Sequence, residues 1–312
     1  LVRRGIHMLN TISAILQAAA ANPEKRTIAV AAAHDRDVLE AVAQARRAGI
    51  AQAVLTGNRE NIREILQSLG ENPADYALVE ADSDAQCAAL AVAEVREGRA
   101  NFLMKGLLGT GDLMRAVIDR DTGLRTGRLI SHVMLYEAPG HKMLALTDGG
   151  MNTYPDLEQK AQILENAAQV CHAMGMEKIN AACVCGAEVV NPKIQATVDA
   201  DALAQDTGRF APLGLHVEGP VGLDLAISEE ACRHKGYKGQ AGGQADILLV
   251  PTYEVGNGIG KTLTYFAKAR SAGIVVGATV PIVLVSRADT AESKLYSIAL
   301  GCIIARANEG GN

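Results

Sequence analysis

Short apolar runs and amphipathic runs alternate along most of this chain of 312 residues. The run 27–33, almost wholly small or β-branched, predicts a buried strand, and the apolar spacing of 38–48 predicts a helix that Asp37 caps. The later predicted strands are 51–56, 76–79, 102–104, 180–185 and 247–250, and the later predicted helices are 62–69, 87–97, 157–174 and 196–204. This alternation predicts an α/β fold built on a mainly parallel sheet.

A polar segment, 120–128, rich in Gly, Thr and Arg, interrupts the alternation. After it, two strand-like runs, 130–136 and 142–147, flank the tripeptide Ala-Pro-Gly at 138–140. Pro and Gly together mark a tight connection between strands. We therefore expect an antiparallel hairpin here, unlike the parallel pairs before it.

The chain is predicted to form two α/β domains, the second inserted into the first. A long helix is expected to begin near Gly260, and 273–285 returns to short buried strands. The first domain is expected to comprise 9–129 with 272–312, and the inserted domain 130–271. Because clefts between domains are favoured ligand sites, we expect the active cleft to lie between the two.

Composition excludes several kinds of partner. The net charge is −5, only 3% of residues are aromatic, and no run of five or more basic residues occurs. A nucleic-acid or anionic-membrane partner is therefore not expected. The apolar runs are too short or too interrupted to span a bilayer. Residues 1–8 look like a vector remnant with Met8 as the native start, and since no secretory signal follows, a cytoplasmic location is expected.

The cysteines and histidines predict no metal site. The six cysteines form no C-x-x-C pair, and the seven histidines form no pair at i, i+4 on a predicted helix. Free thiols of a cytosolic enzyme are the simpler interpretation.

The segment 283–289 carries the strongest functional signal. A buried strand ends there in Ser286, Arg287 and Asp289. Ligands collect at the carboxyl ends of strands in open α/β sheets. The planar fork of Arg matches phosphate oxygens, and Ser adds a small hydrogen-bond donor, so the group suits an anionic substrate. The alternative is that Ser286 or Asp289 merely caps a helix over 291–304.

A glycine-rich loop follows the strand at 102–104. Lys105 lies at the strand end, Thr110 and Asp112 precede a predicted helix, and Arg115 is in its first turn. Exposed backbone N–H groups, a helix N-terminus and two cationic side chains together favour an anion-binding site. The alternative is a flexible loop with a solvated Lys and Arg. The spacing is not that of a dinucleotide fingerprint.

Two further segments carry candidate ligands. Asp148 and Asn152 follow another strand and would orient a polar ligand, or they are turn residues. The segment 254–262 resembles a P-loop but has Val255 where the motif needs Gly. We expect a phosphate-binding turn before a helix there, with Asn257 and Lys261 as candidate contacts, and no ATP hydrolysis.

These motifs together resemble the phosphate acetyl/butyryltransferases, most closely the butyryl branch. The matching segments are 104–115, 123–128 with Ser131 and His132, Thr147, Asp148, Asn152 and 155–156, 188–193, 245–251 with Gly256 and Asn257, and 286–289. The resemblance implies a two-domain, three-layer αβα fold of the isocitrate/isopropylmalate dehydrogenase type. It also implies the reversible reaction acyl-CoA plus phosphate gives acyl phosphate plus CoA, through a ternary complex. Coenzyme A would be substrate or product, with no permanent cofactor or metal, and the chain would form a homodimer or larger homo-oligomer.

The resemblance also suggests roles for the candidate residues. Ser286 would donate to the oxyanion or the CoA sulfur, and Arg287 and Arg115 would bind phosphoryl oxygens. Lys105 and Lys261 are weaker candidates for phosphate or CoA contacts. Acetyltransferases of the family often have an Asp seven residues after the serine, and this chain has Ser293 there. The base for the CoA thiol is then Asp289 or Glu292, with Asp289 preferred.

Three other functions are compatible with these motifs. One is an NAD(P)-dependent β-decarboxylating dehydrogenase, which would share the fold but needs an acidic metal site that the sequence lacks. Another is a non-catalytic protein that binds acyl-CoA or acyl phosphate. The third is the transferase part of a larger protein with an enoyl-CoA hydratase domain.

Overall fold

The computed structural model describes residues 8–286 and 289–309 and has a mixed α/β fold. The expected vector remnant, apart from Met8, and Arg287 lie outside the described residues. In the described part, no helix combines the length and the apolar character needed to cross a membrane.

The helices are α1 (Ile12–Ala20), α2 (Arg36–Arg47), α3 (Arg59–Ser68), α4 (Asp84–Arg96), α5 (Thr110–Val117), α6 (Leu157–Ala173), α7 (Gln195–Gln205), α8 (Thr207–Phe210), α9 (Leu223–Ile227), α10 (Glu229–Lys235), α11 (Tyr253–Tyr265) and α12 (Ala291–Glu309). The strands are β1 (Arg26–Ala31), β2 (Ala51–Gly57), β3 (Ala77–Glu80), β4 (Phe102–Lys105), β5 (Ser131–Glu137), β6 (Leu144–Thr147), β7 (Ile179–Val184), β8 (Leu215–Val221), β9 (Ile247–Leu249), β10 (Arg270–Val276) and β11 (Ile282–Val283).

Contacts between Cα atoms divide the described chain into two compact units. We call 129–270, together with 8–11, the insert unit, and 12–128, together with the described part of 271–309, the flanking unit. The start of the chain joins the insert unit, where the Leu9 N–H donates to the carbonyl of Met174 at 2.8 Å.

The strands of the flanking unit are ordered β3-β2-β1-β4-β11-β10. All neighbours in this order are parallel except β10 and β11. In the register of β4 and β11, Leu103 lies opposite Ile282 and Met104 opposite Val283. Phe102 is fully buried and packs against Gly301 of α12. Since β1, β4 and β11 run in the same direction, the segments after them leave the sheet at one edge.

The strands of the insert unit are ordered β5-β6-β9-β7-β8. The predicted hairpin is confirmed, because β5 and β6 pair antiparallel with Leu135 opposite Ala145. The remaining neighbours are parallel. The turn after Thr147 therefore leaves from the carboxyl edge of this sheet.

The prediction that a helix begins near Gly260 is wrong. Helix α11 begins at Tyr253, so the glycine-rich segment lies within the helix and forms no turn before it. A Cβ at Gly256 would lie 2.7 Å from the Cα of Gly149, and one at Gly260 would lie 2.5 Å from the hydroxyl of Tyr136. These glycines therefore let α11 pack closely against its neighbours, and this packing compensates for their low helix propensity.

The N-cap predicted for α2 is also wrong by two residues. The side chain of Asp35, not of Asp37, accepts a hydrogen bond of 2.9 Å from the Val38 N–H. Asp37 lies in the first helical turn, where an acidic side chain is favoured by the helix dipole.

All six cysteines are buried free thiols, as predicted.

Candidate functional site

Ser286 lies in a closed turn just after β11. Its backbone N–H donates to Oδ2 of Asp289 at 2.8 Å, and the Asp289 N–H donates back to the Ser286 carbonyl at 3.1 Å. Ser286 is exposed and Asp289 is half-buried. Two reciprocal hydrogen bonds thus hold the backbone of the serine, which presents its side chain at the edge of the sheet.

Thr290, rather than Ser286 or Asp289, caps helix α12. Its Oγ1 accepts from the Ser293 N–H at 3.2 Å. The other carboxylate considered as a base, that of Glu292, accepts a hydrogen bond from the Tyr296 hydroxyl. Because Thr290 caps α12, the alternative that Ser286 or Asp289 serves only as the N-cap of this helix does not hold.

A buried lysine lies beneath the Ser286 turn. Lys294, in the first turn of α12, is 3% exposed, and its Nζ donates to the carbonyl of Asp289. A buried ammonium is costly unless acceptors surround it. The position of Asp289 is thus fixed on two sides, by its own carboxylate contact and by Lys294.

The glycine-rich loop leaves the sheet beside this turn, since β4 and β11 are parallel neighbours. Lys105 is 5% exposed, and its Nζ donates to the carbonyls of Gly106 and Leu108 at 3.1 and 3.2 Å. Its ammonium therefore orders its own loop. Contact of Lys105 with phosphate or CoA stays a prediction.

Helix α5 follows this loop and begins at Thr110, earlier than predicted. Thr110 and Asp112 therefore lie in its first turn, and the prediction that Arg115 lies in the first turn is wrong, because it lies in the last. Arg115 is largely exposed, and its Nη1 donates to Oδ1 of Asp112 at 2.8 Å. Because an exposed ion pair contributes little to stability, an anionic substrate would compete readily for this guanidinium. The structure thus places Lys105, Thr110 and Ser286 at one sheet edge, with an accessible arginine on α5.

Asp148 is the centre of a buried turn in the insert unit. Its Oδ1 accepts from the Gly150 and Met151 N–H groups, both at 2.8 Å. Its Oδ2 accepts from the His132 N–H at 3.1 Å and from Nδ2 of Asn152 at 2.7 Å. Both carboxylate oxygens are therefore engaged, and this contact set favours the turn-forming role that the sequence left open.

The same turn packs against the start of α11. A Cβ at Gly149 would lie 2.7 Å from the carbonyl carbon of Gly256 and 3.0 Å from the Asn257 N. Asn257 is thereby brought next to the turn of Asp148. Lys261, one helical turn further along, is exposed, and its Nζ lies 5.9 Å from the ring centroid of Tyr265.

Residues 82–302 match the model of the family described as phosphate acetyl/butaryl transferase. The chain belongs to this family. It is 43% identical over 288 residues to a phosphate butyryltransferase of Clostridium beijerinckii, covering 92% of this chain and 95% of that protein. It is 40% identical over 281 residues to a phosphate acetyltransferase of Thermotoga maritima, covering 90% of this chain and 95% of that protein.

A solved structure agrees with this membership in the phosphate acetyl/butyryltransferase family. A branched-chain phosphotransacylase of Enterococcus faecalis V583 is similar with a TM-score of 0.82 and 33% identity, covering 90% of this chain and 99% of that one. The names of these three relatives thus state three different acyl groups, namely butyryl, acetyl and branched-chain.

Another part of the family motif set, 188–193, contributes an ion-pair cluster in the insert unit. Nζ of Lys235 contacts carboxylate oxygens of both Glu188 and Asp224, the latter at 2.9 Å. The hydrogen bond from Lys235 lowers the pKa of Asp224, and the hydrogen bonds to Glu188 and Asp224 raise the pKa of Lys235. Asp224 and Lys235 are therefore both charged at neutral pH.

Sequence reasoning missed Lys294 and Thr290. The signal for Lys294 was present, because it shares a helical face with Ile298 and Gly301, which are buried. A lysine at a position where the period requires an apolar residue indicates a specific partner for its ammonium.

Proposed function

We propose that this protein is a phosphate acyltransferase that transfers a short acyl group between coenzyme A and inorganic phosphate. The proposal rests on family membership, and the arrangement that carries it is the closed turn of Ser286 beside the glycine-rich loop at one sheet edge. Acetyl, butyryl and branched acyl groups are all substrates to test, since the named relatives divide among them.

In the direction of acyl phosphate synthesis, a phosphate oxygen attacks the thioester carbonyl carbon. A carbon–oxygen bond forms, the carbon–sulfur bond breaks, and the CoA thiolate leaves with its electron pair and takes up the proton that the attacking hydrogen phosphate loses. Negative charge develops on the carbonyl oxygen and then on sulfur. We propose that the hydroxyl of Ser286 donates to one of these atoms, and a preorganised donor of this kind contributes about 10²–10³ in rate.

The phosphate needs cations that hold it in line with the thioester. Arg115 is one candidate, because it is exposed and its ion pair with Asp112 lies at the surface. Arg287, adjacent to Ser286 in the sequence, is the other proposed ligand. The carboxylate of Asp289 supports the serine backbone in this scheme, and in the reverse direction it is the proposed base for the CoA thiol.

We further propose two α/β domains corresponding to the insert and flanking units, in the three-layer arrangement of the isocitrate/isopropylmalate dehydrogenase type. The mainly parallel sheet within each unit supports this assignment. Coenzyme A acts as substrate and product with no permanent cofactor. The cytoplasmic location and the roles of Asp148, Asn152, Asn257 and Lys261 in substrate binding stay predictions.

The deciding experiment follows free CoA with a thiol reagent for acetyl-, propionyl-, butyryl- and isobutyryl-CoA, with and without phosphate. We expect release that requires phosphate, and the order of kcat/KM identifies the acyl group. Release without phosphate would indicate a thioesterase. Absence of release with every acyl-CoA, despite CoA binding, would contradict the proposal and favour a binding protein.

The role of Ser286 is tested in the same assay. We expect Ser286→Ala to lower kcat by about 10²–10³ with little change in KM. Ser68→Ala is the control, because that serine is also exposed but lies at the end of α3, where its hydroxyl donates to the Ile65 carbonyl. Equal losses in both variants would remove the specific role of Ser286.

A further inference from the structure

Leu107 is an exposed apolar side chain in the glycine-rich loop that follows β4. It is 40% exposed, whereas its neighbour Leu108 is fully buried. A single exposed leucine is ordinary on a protein surface. Leu107 differs from such a residue in its surroundings, because its loop leaves the carboxyl edge of the flanking-unit sheet next to the turn of Ser286.

The main chain on both sides of Leu107 is held by hydrogen bonds. The Leu107 N–H donates to the carbonyl of Ala32 at 2.9 Å. The buried Lys105 ammonium donates to the carbonyls of Gly106 and Leu108, the residues on either side, at 3.1 and 3.2 Å. Because three successive residues of the loop are anchored in this way, the exposed side chain of Leu107 leaves from a fixed point of the main chain.

The end of β1 supports the loop on the side away from β11. The Gly106 N–H donates to the carbonyl of Ala31 at 2.8 Å. A Cβ at Gly106 would lie 2.5 Å from the carbonyl oxygen of Ala31 and 2.2 Å from that of Ala32, so only a glycine allows this close approach. The loop is therefore in tight contact with β1, and it cannot move to that side to bury the Leu107 side chain.

The register of the sheet starts the segments of Leu107 and Ser286 side by side. Met104 of β4 lies opposite Val283 of β11. Leu107 follows Met104 by three positions, and Ser286 follows Val283 by three positions. Neighbouring strands are about 5 Å apart, so the two segments leave the sheet one strand spacing from each other. An exposed apolar side chain therefore lies in the segment next to the one that carries the proposed catalytic serine.

We propose that Leu107 contacts the acyl chain of the substrate and favours butyryl and isobutyryl groups over acetyl. The inference rests on the proposed function, in which Ser286 donates to the carbonyl oxygen or to the sulfur of the thioester. The carbons beyond that carbonyl are apolar, and they are the atoms in which the acyl-CoA substrates differ. A methyl group covers little of a leucine side chain, whereas each further methylene that becomes buried against it favours the longer substrate by about 4-fold.

The test measures kcat/KM of the wild type and of Leu107→Ala for acetyl-, propionyl-, butyryl- and isobutyryl-CoA in the phosphate-dependent release assay. We expect the ratio of kcat/KM for butyryl-CoA to that for acetyl-CoA to fall about 10-fold in Leu107→Ala, with propionyl-CoA in between. Leu107→Met keeps an apolar side chain of similar volume and should hold the ratio within about 3-fold of the wild type. Ile118→Ala is the matched control, since Ile118 is 50% exposed but lies at the other end of α5, and it should leave the ratio unchanged.

Three results with Leu107→Ala would overturn the inference while release by the wild type still supports the proposed function. An equal loss for all four acyl-CoAs would show that Leu107 contacts the CoA part that they share. A higher kcat/KM for the longer chains would show that Leu107 obstructs the acyl chain, and an unchanged ratio would show that it does not contact the chain. Absence of release by the wild type would contradict the proposed function and, with it, the inference. Far-ultraviolet circular dichroism checks that each variant is folded.

Discussion

Oδ2 of Asp289 accepts a hydrogen bond of 2.8 Å from the backbone N–H of Ser286, and the N–H of Asp289 donates to the Ser286 carbonyl at 3.1 Å. The carboxylate thus acts on the main chain of the proposed catalytic serine. A hydrogen bond from a backbone amide to a carboxylate is charge-assisted and stronger than one between neutral groups. Asp289 therefore has a positioning role that is separate from any proton transfer with the CoA thiol.

Substitution of Asp289 separates these two roles. We expect Asp289→Ala to lower kcat by about 10–100-fold with KM nearly unchanged, because the turn then lacks its acceptor. Asp289→Asn keeps an oxygen that accepts the Ser286 N–H, so its kcat should stay within about 5-fold of the wild type. The pH profile of kcat accompanies both variants. If Asn is as damaging as Ala and the acidic limb of the profile changes in the direction in which the CoA thiol attacks acyl phosphate, Asp289 is the base.

Lys294 is expected to act through Asp289. Lys294→Met retains the length of the side chain but removes the charged donor to the part-buried carbonyl of Asp289, a loss of about 1–3 kcal/mol. We expect a lower free energy of unfolding together with a lower kcat, and partial recovery of both in Lys294→Arg. Urea unfolding and steady-state kinetics measure the two effects. A loss of stability with unchanged kcat would show that Lys294 supports only the helix.

The buried cysteines predict low thiol reactivity and a specific pH dependence. Burial raises the pKa of Cys185 to about 11 and those of Cys171 and Cys302 to about 12. Because their thiols ionise near pH 9 when unfolded, the stabilisation is full below about pH 9 and is lost as the pH rises towards 11 and above.

At pH 8 the folded protein should therefore react slowly with a thiol reagent, and all six thiols should react after denaturation. The free energy of unfolding should fall between about pH 9 and 11. Rapid labelling of several thiols in the folded protein would contradict the described burial. Slow labelling also keeps the protein's own background low in the CoA-release assay.

Much of the fold could be predicted because its strands are buried on both faces. The runs at β1, β2 and β4 are almost continuously apolar, and the helices that follow these strands have a clear helical spacing of apolar residues. Strand β8 was missed because its sequence includes His216, Glu218, Gly219 and Pro220, which lower strand propensity. The start of α11 was misplaced because its glycines are explained only by contacts with residues distant in sequence.

Candidate site residues could be predicted where polar side chains follow directly after a buried strand. Ser286 and Asp289 are candidates because polar residues end a buried run. The contact between Lys294 and the Asp289 carbonyl was not predictable, since it depends on the path of the chain between a turn and the first turn of a helix. The hydrogen bonds of the Lys105 ammonium to the carbonyls of its own loop were not predictable either, and its contact with substrate stays a prediction.

Close packing of two glycines provides the last prediction. A Cβ at Gly256 would lie 2.7 Å from the Cα of Gly149 and 2.8 Å from Cγ2 of Val250, and the first of these belongs to a backbone. Gly256→Ala should therefore lower the free energy of unfolding by about 1–3 kcal/mol, as overpacking does. Gly111→Ala in α5 is the control, because its Cβ meets nothing within 4 Å, and it should stabilise by about 0.5–1 kcal/mol. Equilibrium unfolding in urea compares the two. If Gly256→Ala matches the control, α11 and the turn of Asp148 are not in close contact, and the placement of Asn257 beside that turn is wrong.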